Sequence, residues 1–198
     1  MTAGPPVALI ARAAQALRRG EVVCVPTETT YGLAVDVRVD GALAALYALK
    51  GQRDAPVAFI AASLEQARGL ASVWPARADE LADDYWPAPL TLVVPARADL
   101  PRQVVGPTGG VGVRVPAHPW ARALAAAVGA PVTATSANPT GRQPAVSIDE
   151  ARRYFGDRVE VYLDAGPSSA HRASTVVAVG EDGSATLLRQ GVLAVPGL

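Results

Sequence analysis

A short apolar run, VVCV at 22–25, ends at Pro26 and opens directly into Thr27-Glu28-Thr29-Thr30-Tyr31-Gly32. A run this short without polar alternation has the pattern of a strand covered on both faces. Pro26 lacks a backbone donor and stops the ladder. The loop beyond it sets four hydroxyls and a carboxylate in a row, and Gly32 permits a close backbone approach or a positive φ. A buried strand with such an exit calls for a sheet with helices on its faces and polar loops at its strand ends, where such sheets take ligands. Alone, PTET reads first as a strand exit made of β-forming residues, and only a second stretch of matching chemistry overturns that.

The remainder of the chain supplies it. A helix is expected over 7–19, with Val7, Ile10, Ala14 and Leu17 at helical spacing and Gly20 as its stop. GALAALYALK at 41–50 reads as a second helix, buried on most faces, with Lys50 at the end where the helix dipole favours a cation. A polar loop and a strand over 57–60 follow, then helices over 63–70 and 77–85, the first opened by the capping box Ser63-Leu64-Glu65-Gln66. Trp86-Pro87-Ala88-Pro89 breaks the chain before strands over 90–94 and 111–115, and Arg114 interrupts the second, where a charge wants a partner. A helix over 120–128 starts behind Pro119 and ends at Gly129. The strand over 131–135, PVTAT, exits into Ser136-Ala137-Asn138-Pro139-Thr140-Gly141, the second polar loop. A capping box at Ser147 opens a helix through 154, and strands over 159–163, 174–179 and 185–188 follow, with Arg189 at the end of the last. The expected architecture is α/β: a single domain over 1–198, a twisted open mixed sheet with flanking helices, residues 1–6 flexible and no further C-terminal domain.

Composition narrows the function. One cysteine and two histidines, Cys24, His118 and His171, offer neither a disulfide framework nor a zinc site, and zero formal charge argues against a broad nucleic-acid footprint. Apolar runs are too short to span a bilayer and no signal segment opens the chain, so a cytoplasmic protein without membrane contact is expected. Lys50 is the only lysine and Asn138 the only asparagine. Where arginine serves every other cationic position, a lone compact ammonium marks a candidate for chemistry a planar guanidinium cannot do.

PTETTYGL, KGQR, GVGVRVPAHP, TSAN, STVV and LLRQG, in this order, resemble the YrdC-like family of threonylcarbamoyladenylate synthases, a likeness running from about Val7 to Gly191. The resemblance implies a YrdC/RibB-like fold around a positively charged cleft. It implies a nucleotidyltransferase that joins ATP, L-threonine and bicarbonate into threonylcarbamoyl-AMP and releases pyrophosphate. The product would serve tRNA modification through downstream threonylcarbamoyl-transfer proteins. On this resemblance Thr29, Tyr31, Arg114, Ser136 and Ser174 read L-threonine, with Arg114 on its carboxylate. Lys50, Arg53, Gly110, Asn138, Ser147 and Arg189 take ATP, whose magnesium is held mainly by the phosphates, and Lys50 and Arg53 carry the catalytic charge. Family members usually place the arginine two residues after the lysine and follow it with proline, whereas here Arg53 stands three residues on and Asp54 follows.

Plainer roles exist for several of these residues. Ser147 suits an N-cap, Ser174 an ordinary strand position and Asn138 an Asx turn before Pro139. Two other functions compete with the synthase: a module binding double-stranded RNA or tRNA, and a related carbamoyl-adenylate enzyme using another amine.

Overall fold

Val23 and Val25 point into one core and Cys24 into another, so the first strand is buried on both faces as its unbroken apolar run implies. The computed structural model describes residues 4–51, 56–168 and 172–198. In chain order its helices are α1 (Val7–Arg18), α2 (Ala42–Lys50), α3 (Leu64–Arg68), α4 (Ala76–Tyr85), α5 (Pro119–Val128) and α6 (Ile148–Phe155). The strands are β1 (Val23–Val25), β2 (Gly32–Ala34), β3 (Phe59–Ile60), β4 (Leu90–Pro95), β5 (Gly110–Arg114), β6 (Val132–Thr133), β7 (Thr135–Ser136), β8 (Val161–Tyr162), β9 (Thr175–Val179) and β10 (Ala185–Arg189).

The expected open mixed sheet is present as two. One has the order β7-β2-β1-β8, with β1 antiparallel to β2 and parallel to β8. The other has the order β10-β9-β4-β5-β3-β6, with β4 parallel to β9 and antiparallel to β5. Ile10, Ala13, Ala14 and Leu17 of α1 pack with Trp120, Ala121 and Leu124 of α5 against Val23, Val25, Ile60 and Val132, so this core touches both sheets. Leu46 of α2, Leu81 of α4 and Phe155 of α6 fill the other core.

Two expectations change. Only one face of α2 is buried, through Leu43, Leu46, Leu49 and Lys50, while Ala44, Ala45 and Ala48 are exposed. Alanine sits inside or outside with little cost, so a run of it says nothing about which face is covered. The strand read over 131–135 is two strands in different sheets. Thr133 pairs with Phe59 and Thr135 with Leu33, and between them Ala134 donates its N–H to Ala58 O at 2.8 Å. Thr133 also closes the gap sideways: its hydroxyl accepts from Val35 N at 2.9 Å and its own N–H donates to Val35 O at 3.0 Å.

Candidate active site

The loop between β1 and β2 is tied by its own hydroxyls. Thr27 Oγ1 accepts from the backbone N–H groups of Thr29 and Thr30, each at 3.3 Å, and gives its single proton to Thr30 O at 2.6 Å. The Thr29 hydroxyl, 2.9 Å from Thr27 Oγ1, must therefore be the donor of that pair. Tyr31 OH donates to Gly166 O at 2.7 Å, burial lifts the phenol to about 12, and the Ser168 hydroxyl caps the carbonyls of Thr27 and Thr29 at 3.3 and 2.9 Å. A polar loop becomes a fixed wall.

That wall faces an open cavity of about 1270 Å3 whose lining includes Thr29, Tyr31, Gly110, Arg114, Ser136, Ser174 and Arg189. Seven of the residues expected to bind substrate thus come together from separate elements. Arg114, at the end of β5, is 8% exposed. Its Nη1 donates to Glu28 Oε1 at 3.0 Å and its Nη2 to Thr29 Oγ1 at 3.4 Å. Burial pulls the guanidinium below its ordinary value while Glu28 acts to raise it. The sequence marks Glu28 as the carboxylate of the polar loop but does not place it with the site residues or pair it with Arg114, although a carboxylate inside PTET and an arginine inside an apolar strand are complementary signals.

The second guanidinium, Arg189 of β10, donates from Nε to Ser174 O at 3.1 Å and from Nη2 to Ser174 Oγ at 3.2 Å. Thr91, also missed, holds Ser174 Oγ from the other side at 2.9 Å. Ser174 therefore does more than extend a strand. Arg189 makes no ion pair among the described residues; burial and the like charge of Arg114 both lower its pKa. A Cβ on Gly191 would lie 2.3 Å from Ser174 C, so only glycine lets the chain after Arg189 press against this strand. In β5 of the same sheet a Cβ on Gly110 would meet Val93 Cγ1 at 2.6 Å.

Lys50 sits off the cavity lining, beside Ser136 and Asn138. It is 8% exposed, and its Nζ donates to Ser136 O at 2.8 Å and more weakly to Asn138 Oδ1 at 3.5 Å. With no ion pair among the described residues, burial lowers its pKa to about 8. Asn138 gives its amide hydrogens to Pro139 O and Arg142 O at 2.9 and 2.8 Å, so it holds the turn and the ammonium together. Ser147 is the N-cap of α6, its Oγ accepting from Glu150 N at 3.3 Å. Among the described residues Lys50, Asn138 and Ser147 are not on the cavity surface, and Arg53 falls outside those residues.

A mixed α/β fold whose hydroxyl-lined cavity carries two guanidiniums has the chemistry to take small anionic molecules. The Sua5/YciO/YrdC family model, described as telomere recombination, matches residues 15–191, and the chain belongs to this family. It is 45% identical over 156 residues to the threonylcarbamoyl-AMP synthase of Halorhodospira halophila, covering 78% of this chain and 81% of that protein. The structure of P. abyssi Sua5 complexed with L-threonine superposes with a TM-score of 0.87 at 36% identity, over 93% of this chain and 54% of that one. This chain thus spans about half of that protein's length. E. coli YciO, at 23% identity, matches in fold with a TM-score of 0.86 over 98% of this chain and 94% of that chain.

Proposed function

We propose that the chain is a nucleotidyltransferase that makes L-threonylcarbamoyl-AMP from L-threonine, bicarbonate and ATP, releasing pyrophosphate, for threonylcarbamoyl modification of tRNA. The observation that carries this reading is the pairing of two unlike guanidiniums in one cavity. Arg114 is buried and backed by a carboxylate, which suits one fixed small acid, and Arg189 has no acidic partner among the described residues, which suits phosphate. The printed names of the Halorhodospira and P. abyssi relatives point the same way.

In this reading threonine's amine takes up bicarbonate as a carbamate with loss of water, and a carbamate oxygen attacks the α-phosphorus of magnesium-ATP in line. The bond to the β-phosphate oxygen breaks and pyrophosphate leaves. The protein positions and neutralises. Arg114, Thr29 and Ser174 orient the amino acid, Arg189, held by its bonds to Ser174, faces the phosphates, and Lys50, whose charge sits just behind the lining on Ser136 O, joins Arg53 in answering the charge of the leaving group. Such an enzyme works in the cytoplasm, and no described helix is long and apolar enough to cross a membrane.

The test is pyrophosphate release from purified protein with magnesium-ATP and bicarbonate, with and without L-threonine. Threonine-dependent release supports the synthase. Release only with another amino acid would reassign the amine, and neither release nor ATP binding would shift the reading to RNA binding.

A further inference from the structure

Arg114 and Glu28 form an ion pair that crosses a partition. Arg114 lines the large cavity, whereas Glu28 lines a second, smaller cavity of about 270 Å3 on the far side of the Thr27–Tyr31 wall, beside Ala117, His118 and Ser168. The carboxylate is engaged at both oxygens. Oε1 accepts from Arg114 Nη1 at 3.0 Å, and Oε2 accepts from the backbone N–H of His118 at 3.3 Å. Both side chains are well covered, at 9% and 16% exposure.

We propose that Glu28 is a positioning residue for the amino-acid carboxylate: from behind the wall it fixes the Arg114 guanidinium against the backbone at His118 and leaves the remaining donors to the large cavity. This rests on the proposed function and deepens it. A guanidinium carries five N–H donors, and the two contacts described occupy two of them. Because Glu28 sits behind Arg114 and not among the residues lining the large cavity, an incoming carboxylate meets the guanidinium without displacing it. A glutamine could not replace it. Both partners of Glu28 are donors, and an amide has one accepting oxygen and one donating nitrogen, so one contact becomes donor against donor.

Calorimetric titration with L-threonine of the wild type, Glu28→Gln, Glu28→Asp, Arg114→Lys and the Glu28→Gln/Arg114→Lys double variant tests this, with each variant's melting temperature recorded. Glu28→Gln is expected to weaken threonine binding about tenfold, the scale of a lost charge-assisted hydrogen bond. Its KM for ATP should stay within twofold, and Glu28→Asp, which keeps the charge, should be intermediate. The double variant should bind no worse than Arg114→Lys alone. Unchanged threonine affinity in Glu28→Gln, or strict additivity in the double variant, overturns the assignment. If Glu28→Gln does not fold, Glu28→Asp carries the same comparison, and wild-type affinity there overturns it. A wild type that binds ATP but no threonine overturns the proposed function, and this inference with it.

Discussion

The ammonium of Lys50 lies 2.8 Å from the carbonyl oxygen of Ser136, joining the end of α2 to a residue 86 positions on, at the rim of the cavity. Burial holds Lys50 at about 8, below its ordinary 10.5, so the unfolded chain binds more protons between those values. The cost of burying the charge is present below about pH 8 and relieved as pH rises toward 10.5. The urea midpoint should therefore carry a component that rises between pH 8 and 10 and is absent from Lys50→Met. ATP binding should change in the opposite sense, weakening above about pH 8 as the charge is lost, with a flatter profile in Lys50→Met. Titrations at pH 7 and 9 check this.

Arg189 is held to Ser174 by two hydrogen bonds and is not neutralised by any described carboxylate. Arg189→Ala should weaken ATP binding by roughly tenfold or more. Ser174→Ala removes one acceptor and the Thr91 contact, and is expected to cost about three- to tenfold. The ATP affinities of both variants, with the wild type's dependence on salt, measure these effects.

Gly191→Ala should be among the most damaging small changes in the chain. The new methyl would lie 2.3 Å from both Ser174 C and Thr175 N, and backbone atoms cannot rotate aside as a side chain can. A loss of about 2 kcal/mol or more is expected from overpacking. Urea denaturation reports it, together with loss of ATP binding as Arg189 is moved off Ser174.

Cys24 is fully buried, and burial pushes its thiol up to about 12. It should resist a thiol reagent at pH 8 in the folded protein and react promptly in denaturant. Because it lies in β1 between two cores, its labelling rate at low urea should follow opening of the whole fold; fast labelling of the native state would contradict the packing.

Much of this was legible in the residues. VVCV announces a strand covered on both faces and LTLVV a strand, Gly129 closes α5 in the left-handed conformation its position implies, and Ser63 caps α3 through Gln66 N. Harder to read was the division of PVTAT, because a strand that changes sheets keeps its β-forming residues on both sides and the pivot, Ala134, is featureless. Glu28 was hidden by chemistry of another kind: its partner is 86 residues away, and local spacing encodes no such contact. Lys50 stood out as a single lysine, yet its place, off the cavity lining and on the carbonyl of the lining residue Ser136, depends on how the Asn138 turn folds over the end of α2.

The passage of one continuous segment from β6 into β7 makes the joining of the two sheets a matter of chain length. A peptide spans at most about 3.5 Å per residue, and Val132 to Ser136 is anchored at both ends, in two different sheets. Like a tie rod between two plates, it keeps the sheets from drawing apart at Ala134, which is itself held to Ala58 O. The spacing of the two sheets at this point is set by the chain itself, and not by side-chain packing alone.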